Sequence, residues 1–493
     1  MKKLLSLILL LTIHNSLFSQ SAEDALRLSE SPLLGTSRSV GTNTGMGAIG
    51  GDFSSTSFNP AGLAQYSFSE FVLTPGIQFV KTNSLLIGNN LNQTAEDKKT
   101  RFIMPNMGLV FASPRAEGQE NKFVFGLGYN SYQTSSRDFN FQGKSKGSIS
   151  ERFAALANGL APNELDNYEA GLAYDTYVLI DQNPDKSWNY DYQGYEGVEL
   201  SKEQIVSSRS RQSEFNISGA VKSGKMFMAG ATIGIPVTNY TEEKNYYESD
   251  PTDAVPYFEK IRFGDVKTSK GVGINAKAGV IIRPINALSI GLAIHSPSLV
   301  AIKEDFSTRL AYSYLSTTGV ATLDTLSPEG TIDYTVFTPM KLIGSLGSII
   351  GKHAFINADV TWVNYTSSRI KIKSSNAYDK ESERITNREI KDNYKSAIQI
   401  NLGGEYAFNN GFRIRGGYGM AQSSLKGDDK FYPSFAVGAG YRKNKFFLDL
   451  GYRNVQSSRT YEPYIISGNV NQTLVTQDFV NTAITATLGF KLY

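Results

Sequence analysis

The sequence contains no cysteine. This absence excludes a cysteine-linked lipid anchor, a disulfide framework, thiolate metal ligands and a cysteine nucleophile. Histidine is scarce as well, and after His14 only His295 and His353 follow. We therefore expect no cofactor and no dedicated metal site, while carboxylates in loops are the one remaining class of ligand, for calcium.

Long apolar runs are also lacking. The run Leu4–Ile13 follows Lys2 and Lys3 and has about ten residues, half of the roughly 20 that a membrane-spanning helix needs. This arrangement is typical of a secretory signal peptide, which we predict at residues 1–19, with cleavage near Ser19–Gln20. The rest of the chain is expected to be exported and to contain no transmembrane helix.

The chain has no large excess of either charge. Its 49 Lys and Arg residues nearly balance its 46 Asp and Glu residues, and two of the cations lie in the predicted signal peptide. A chain this close to neutrality gives no reason to expect nucleic acid as a partner.

The dominant pattern is an alternation of apolar residues with small or polar ones, with a period of two. In the run 122–132, aromatic and apolar side chains occupy one face of the expected strand, and glycine and asparagine occupy most of the other. A tilted strand of about ten residues crosses a bilayer. We count about fourteen such runs, near 68–81, 101–113, 122–134, 210–222, 226–240, 258–283, 287–312, 331–349, 353–371, 395–408, 411–422, 431–442, 445–457 and 481–493.

The connections between the runs alternate in length. Short ones such as Asn409–Asn410 interleave with long polar ones such as 135–209 and 241–257. Short periplasmic turns and longer extracellular loops are typical of outer-membrane barrels. The sequence therefore predicts an all-β protein, a transmembrane antiparallel up-and-down β-barrel formed by residues 67–493. A water-soluble β-sandwich also alternates, but it rarely keeps this asymmetry through a whole chain.

Two regions lack the strand pattern. Residues 20–66 are rich in Gly, Ser, Thr and Asn and are predicted to fold into the lumen as a plug. The longest outer loop, 135–209, has partly helical spacing in its middle. Its apolar residues are predicted either to pack as a cap over the barrel mouth or to form a docking surface for a ligand. These residues are Phe153, Leu156, Leu160, Leu172 and Tyr174.

Two motifs invite a catalytic or cofactor-binding interpretation. Gly45–Gly50 matches G-x-G-x-x-G, but that pattern binds a dinucleotide only between a buried strand and a helix, and neither is predicted here. We interpret Gly45 and Gly47 as parts of a tightly packed plug. His295 lies beside Ser296, but a hydrolytic triad needs three groups that converge in space, and no motif supports one. We predict no enzymatic activity.

Several charged residues fall on the strand faces opposite the apolar ones. A cation facing lipid would cost roughly 2–4 kcal/mol near the bilayer midplane, so these faces are predicted to line the lumen. We expect the charges to pair across strands or with the plug. Alternatively, Arg413 and Arg415 bind a ligand's carboxylate, which a guanidinium group holds bidentately. The charged residues are Asp359, Glu405, Arg413, Arg415, Arg442 and Asp449.

The end of the predicted plug reads Phe58-Asn59-Pro60-Ala61-Gly62-Leu63-Ala64. Together with Gly45 and Gly47, it resembles the plug segment and the Asn-Pro-Ala-Gly-Leu signature of the FadL/TodX family, outer-membrane transporters for long-chain fatty acids and hydrocarbons. Asn59, Pro60 and Ala61 carry the most specific part of this resemblance. Weaker matches at 295–297, 337–339 and 359–365 follow in the expected order along nearly the whole mature chain.

The resemblance implies a plugged barrel of about fourteen strands in the bacterial outer membrane. It also implies that a hydrophobic or amphiphilic small molecule is captured at the outer loops, diffuses passively past the plug and leaves sideways through a gap in the wall. Pro75–Gly76 and Pro105 are the predicted interruptions of strand pairing. Expected partners are the ligand, outer-membrane lipid, and, during insertion, the barrel-assembly machinery and periplasmic chaperones. The alternatives are a structural or adhesive barrel and a general porin for polar solutes.

Overall fold

The described residues form a closed antiparallel β-barrel. The computed structural model describes residues 19–30, 32–113, 121–132, 136–181, 190–191, 197–466 and 472–492. Nineteen strand segments form one sheet, and the pairing of the first segment with the last closes it into a barrel. Because some consecutive segments continue one another, the wall has 14 strands, as predicted. The predicted signal peptide lies outside the described residues except for Ser19.

The segments are numbered in chain order, and a separate two-stranded hairpin in an outer loop takes the numbers β5 and β6. Four barrel strands are interrupted: β3 continues as β4, β10 as β11, β12 through β13 to β14, and β15 as β16. The segments are β1 (Glu70–Ile87), β2 (Ala95–Ala112), β3 (Asn121–Ser131), β4 (Asp138–Lys146), β5 (Ile180–Asp181), β6 (Tyr190–Asp191), β7 (Glu199–Ser223), β8 (Phe227–Ser249), β9 (Phe258–Ile285), β10 (Leu288–His295), β11 (Leu299–Ser316), β12 (Gly319–Leu326), β13 (Gly330–Phe337), β14 (Lys341–Ile350), β15 (Ala354–Asn364), β16 (Arg369–Ile372), β17 (Ser396–Ala407), β18 (Phe412–Gln422), β19 (Phe431–Lys443), β20 (Phe446–Tyr461) and β21 (Leu474–Lys491).

The barrel wall has the predicted apolar outward face and polar inward face. On β18, Phe412 and Ile414 are each 54% exposed, whereas Arg415, the next residue, is 5% exposed. The outward apolar side chains face lipid, and the inward polar ones line the lumen.

On the outer side the strands continue beyond the predicted runs. β7 begins at Glu199 and β8 ends at Ser249, and the two remain paired up to Ser201 opposite Ser249. The loop predicted at 135–209 is therefore shorter than expected, because β4 and the start of β7 lie within it. Polar side chains occupy both faces there, so the sequence carries no two-residue hydropathy signal even though the backbone pairing persists.

Five helices accompany the barrel among the described residues. Helices α1 and α2 precede the first strand, and the other three lie in outer connections. No helix of the described chain is both long enough and apolar enough to cross a membrane. The helices are α1 (Ser19–Ser29), α2 (Ser37–Thr42), α3 (Ile149–Ala157), α4 (Ala170–Asp175) and α5 (Ala377–Asn393).

Helix α5 covers an unpaired strand edge. β16 pairs with β13 on one side. On its other side, Asn387 of α5 accepts a hydrogen bond from the Ile370 amide (2.9 Å) and donates one to the Ile370 carbonyl (2.8 Å). Glu383 accepts from the Ile372 amide at 2.9 Å. The side chains of α5 thus replace the backbone of a neighbouring strand.

Candidate functional site

The predicted plug, residues 20–66, has two parts: helix α1, and residues 32–66, which occupy the periplasmic half of the lumen and are called the plug from this point on. Between Leu34 and Ala64 only Gly51 and Phe58 are not fully buried. Polar residues begin each of its short helical turns, because their side chains accept hydrogen bonds from the first free amides. Asp52 accepts from the Ser54 amide at 2.9 Å and thereby starts the 3₁₀ turn Phe53–Thr56.

Asn59 connects the two parts of the predicted plug motif. Its Oδ1 accepts from the Ala61 amide (3.2 Å) and so caps the 3₁₀ turn Pro60–Gln65, in which Pro60 occupies the first position. Its Nδ2 donates to the Gly47 carbonyl at 2.7 Å. The motif residues therefore meet inside the barrel, although about a dozen residues separate them in the chain.

Gly45 and Gly47 bind the wall through their backbones. Their amides donate to the two carboxylate oxygens of Asp359 at 3.1 and 3.2 Å. A Cβ atom on Gly45 would overlap the ring of Phe58, and one on Gly47 would overlap the hydroxyl of Ser345. Both positions therefore require glycine for close packing, as predicted for a plug rather than for a dinucleotide site.

Inward-facing glycines of the barrel wall receive helix α2. A Cβ atom on Gly403 or Gly417 would overlap the carbonyl oxygen of Thr42. By contrast, a Cβ atom on the outward-facing Gly416 would have no atom within 4 Å. The glycines that alternate with apolar residues in these strands thus make room for the plug.

This contrast supplies a matched pair of variants. We expect Gly417→Val to push α2 from its seat and to lower the free energy of unfolding by about 1–3 kcal/mol, since overpacking strains the contact. Gly416→Val should change it by less than about 0.5 kcal/mol. Denaturant unfolding of both proteins in the same detergent measures the difference, and equal values would contradict the packing described here.

Charged side chains fasten the plug to the wall. Glu405 binds Arg38 of the plug at 3.0 Å, Arg413 at 2.6 Å and Arg415 at 2.6 Å. Asp449 binds Arg415 at 2.7 Å on its other side. Burial would lower the pKa of Arg38, but Glu405 and Asp52 raise it above its ordinary value. We name Arg38, Glu405, Arg413, Arg415 and Asp449 the ionic latch.

The ionic latch changes the interpretation of Arg413 and Arg415. The Nε and Nη2 atoms of Arg415 bind Glu405 and Asp449, and its side chain is fully buried. Arg413 binds the same Glu405. Both guanidinium groups already have carboxylate partners within the protein, so the structure favours pairing inside the barrel over binding of a ligand's carboxylate. The pairing expected across strands and with the plug is what the structure contains.

Two cavities lie above the plug. The inner chamber has a volume of about 480 Å³, and Phe58 of the plug forms part of its floor. The outer vestibule has a volume of about 1400 Å³ and is lined by aromatic side chains such as Tyr246, Phe263 and Phe306. Glu23 and Leu26 of α1 line both cavities, so this helix is part of the partition between them.

Helix α1 is held in the lumen by polar contacts. Tyr334 donates to Asp24 (3.0 Å), and Lys341 donates to the carbonyl of Ser29 (3.0 Å). Arg459 binds Glu23 at 2.6 Å. Burial alone would raise the pKa of Glu23, but Arg459 lowers it below its ordinary range. Ala22 and Ala25 of the helix also pack in an apolar cluster with the wall, so both polar contacts and apolar packing fix its position.

The predicted docking residues belong to the packed interior of the outer loop. Phe153 is fully buried and Leu172 is 4% exposed, and Leu156, Leu160 and Tyr174 pack against the same cluster. The structure thus favours the cap over the docking surface. The vestibule is lined instead by inward aromatic residues near the outer ends of β8, β9 and β11. Tyr246 falls in the predicted loop 241–257, whereas Phe263 and Phe306 fall in predicted strands, and the sequence pattern singled out none of the three.

The barrel wall has a gap between β2 and β3. Their pairing ends at Asn106 opposite Asn130, directly below Pro105, which has no amide hydrogen to donate. Beyond this point β3 stays paired with β7, and its Ser131 carbonyl accepts from the Leu34 amide of the plug at 3.1 Å. Above this point Lys99 bridges the gap by donating to the Ser208 carbonyl at 2.9 Å. The register of β1 against β2 also shifts next to Pro75–Gly76, so both predicted interruptions are confirmed.

The plug contacts the lower edge of this gap. Phe53 lies against Gly108 and Gly128, where any Cβ atom would overlap its ring. Asn130 donates to the hydroxyls of Thr56 (2.9 Å) and Ser57 (2.8 Å). Tyr132, Ser136 and Arg137, which flank the gap, also line the inner chamber.

Comparisons with known proteins bear on the fold. No protein-family model and no curated protein matches the sequence. Among solved structures, a FadL homologue from Pseudomonas aeruginosa aligns with a TM-score of 0.56 and 12% identity, covering 94% of this chain and 99% of that one. The toluene transporter TodX from Pseudomonas putida aligns with a TM-score of 0.50 and 12% identity, covering 94% and 100%. The chain therefore has the plugged 14-stranded barrel fold of the FadL/TodX transporters.

Proposed function

We propose that this protein carries hydrophobic or amphiphilic small molecules into the outer membrane by passive diffusion. One observation supports this proposal most directly. The inner chamber extends to the gap between β2 and β3, and the plug fills the lumen below the chamber. A molecule that moves from the vestibule past α1 enters the inner chamber, and from there it can leave sideways through the gap. The two solved structures, described as a FadL homologue and a toluene transporter, support a hydrophobic cargo.

The lining of the chamber suits a molecule with an apolar body and a polar end. Leu26, Phe58 and Phe479 provide apolar surface, and Lys341 provides a cation. A general porin needs an open aqueous lumen, which the buried plug does not leave. Function in the outer membrane would require export by the predicted signal peptide and insertion by the barrel-assembly machinery with periplasmic chaperones.

Uptake measurements test the proposal. Liposomes that contain the full chain should take up a fluorescent long-chain fatty acid and toluene faster than protein-free liposomes. Polar solutes such as glucose should enter both at the same rate. Rapid glucose entry would favour the porin, and no acceleration of any hydrophobic probe would favour the structural or adhesive barrel.

The Asn59–Ala61 turn gives a variant of this test. Asn59→Ala removes the donor to Gly47 and the acceptor for Ala61, which we expect to destabilise the plug by about 1–3 kcal/mol. Uptake of the hydrophobic probe should fall while the barrel stays assembled, because the floor of the chamber loses its fixed shape. Asn409→Ala, in an exposed periplasmic turn, is the control and should leave uptake unchanged. Normal uptake by the Asn59 variant would contradict a role for this turn.

A further inference from the structure

A row of six polar side chains, four of them basic, crosses six neighbouring strands on the outer surface of the barrel. The cross-strand registers place the row's members side by side, and all six point outward. In order around the barrel they are Arg211 on β7, Asn239 on β8, Lys270 on β9, Lys303 on β11, Asp333 on β13 and Lys373 just after β16. Four of the six are cations and one is an anion.

The four cations of the row outnumber its one carboxylate, Asp333, which lies between Lys303 and Lys373. Lys270 lies directly opposite Lys303, and like charges in such a position repel. Lys303 has a loose pair with Asp305 at 3.9 Å, and its side chain is 62% exposed. For Lys270 and Lys373, the described part of the chain provides no carboxylate within ion-pairing distance. β16 adds two more outward cations, Arg369 and Lys371.

The position of the row relative to the lipid-facing surface indicates what neutralises it. Two residues further toward the periplasm, on the same outward face, Val272 lies opposite Ala301, and two residues beyond that Ile274 lies opposite Leu299. Ile274 and Val272 are each 54% exposed on the lipid-facing side. The same outward face therefore changes from apolar to cationic within about 7 Å along the strands. Such a change is expected where acyl chains give way to headgroups.

We propose that this row, with Arg369 and Lys371, binds the phosphorylated headgroup of a lipid in the outer leaflet. The acyl chains would lie against Val272, Ile274 and their neighbours, and the phosphates would bridge Lys270, Lys303 and Lys373. A soluble anion would use the cations alone, whereas a lipid uses both the cations and the apolar rows below them. This surface lies on the outside of the wall, so the proposal does not depend on the transported cargo.

The test compares two quadruple variants of the full chain. In the first, Lys270, Lys303, Lys371 and Lys373 are each replaced by Gln. In the control, four lysines of the periplasmic turns are replaced by Gln, which removes the same amount of charge at the opposite end of the barrel. The control positions are Lys225, Lys352, Lys443 and Lys445. The probes are diphosphorylated lipid A and its dephosphorylated form, added to the detergent-purified proteins and counted by native mass spectrometry.

The parent protein and the control variant should retain diphosphorylated lipid A. The amount of this lipid retained by the first variant should be lower by about tenfold or more. The parent should also retain the dephosphorylated lipid about tenfold less. Equal retention of the two lipids by the parent overturns the proposal without reference to any variant. Equal retention by both variants also overturns it, as does displacement of the bound lipid by inorganic phosphate alone. If the first variant does not fold, Lys303→Gln alone should still weaken retention.

Discussion

Replacing Glu405 with glutamine is expected to release the plug and turn a closed barrel into a conducting one. The substitution leaves Arg38, Arg413 and Arg415 close together without their shared carboxylate. Removing one partner of a buried ion pair destabilises a protein by about 3–5 kcal/mol. Arg38 is the only plug residue of the ionic latch. Much of the lost free energy should therefore be lost from the interaction that holds the plug in the barrel. A shift of about 3 kcal/mol changes the seated-to-released ratio about a hundredfold.

Planar-bilayer recordings measure this effect directly. The parent protein should show little steady current, and the Glu405→Gln protein should show long-lived open events in the same salt. Asp324→Asn is the control, since it removes an ion pair with Arg309 whose side chains are 52% and 38% exposed. Exposed pairs contribute at most about 1 kcal/mol, so the control should conduct like the parent. A silent Glu405→Gln barrel would show that the ionic latch does not hold the plug.

Locking the wall gap is expected to stop uptake of hydrophobic probes. Lys99 of β2 and Asp138 of β4 form an ion pair across the gap. The chain has no native cysteine, so cysteines placed at these two positions can be joined selectively. A thiol-specific cross-linker with a cleavable disulfide should reduce uptake to the rate of protein-free liposomes, because the sideways exit is the route we propose. Reduction should restore uptake.

A second pair of cysteines controls for the chemistry. Leu109 and Leu127 lie opposite each other where β2 and β3 are fully paired. Cross-linking this pair closes no opening and should leave uptake unchanged. Uptake that persists when positions 99 and 138 are joined would mean that the molecules leave elsewhere.

Local patterns in the sequence predict the strands and their faces because side chains alternate along every strand. The plug is predicted from the composition of residues 20–66 and from the resemblance of the Asn59-Pro60-Ala61 segment to a known family. The glycines opposite the apolar faces, such as Gly417, are visible in the same alternation. Their purpose becomes clear only from the position of Thr42, which is remote in the chain.

Features that depend on distant contacts are not predictable in this way. Arg415 reads as a lumen cation in the sequence, and its partners Glu405 and Asp449 are defined only when β17, β18 and β20 are brought together. The outer extensions of β7 and β8 carry no hydropathy period, since neither face meets lipid. Helix α5 lies in the connection between the predicted runs 353–371 and 395–408, and its polar composition and narrow buried face give it no helical hydropathy signal.

The contact between α5 and β16 determines how the outer rim of this barrel can vary. Asn387 reproduces both hydrogen bonds of a neighbouring strand with one amide group. The membrane-spanning ladder below, from Asn364 opposite Ser396 down to Ala354 opposite Tyr406, does not involve the helix. At this position the outer rim is therefore structurally independent of the strands that cross the membrane. Its length and sequence can diverge among related barrels, or be exchanged by design, without altering the register of those strands.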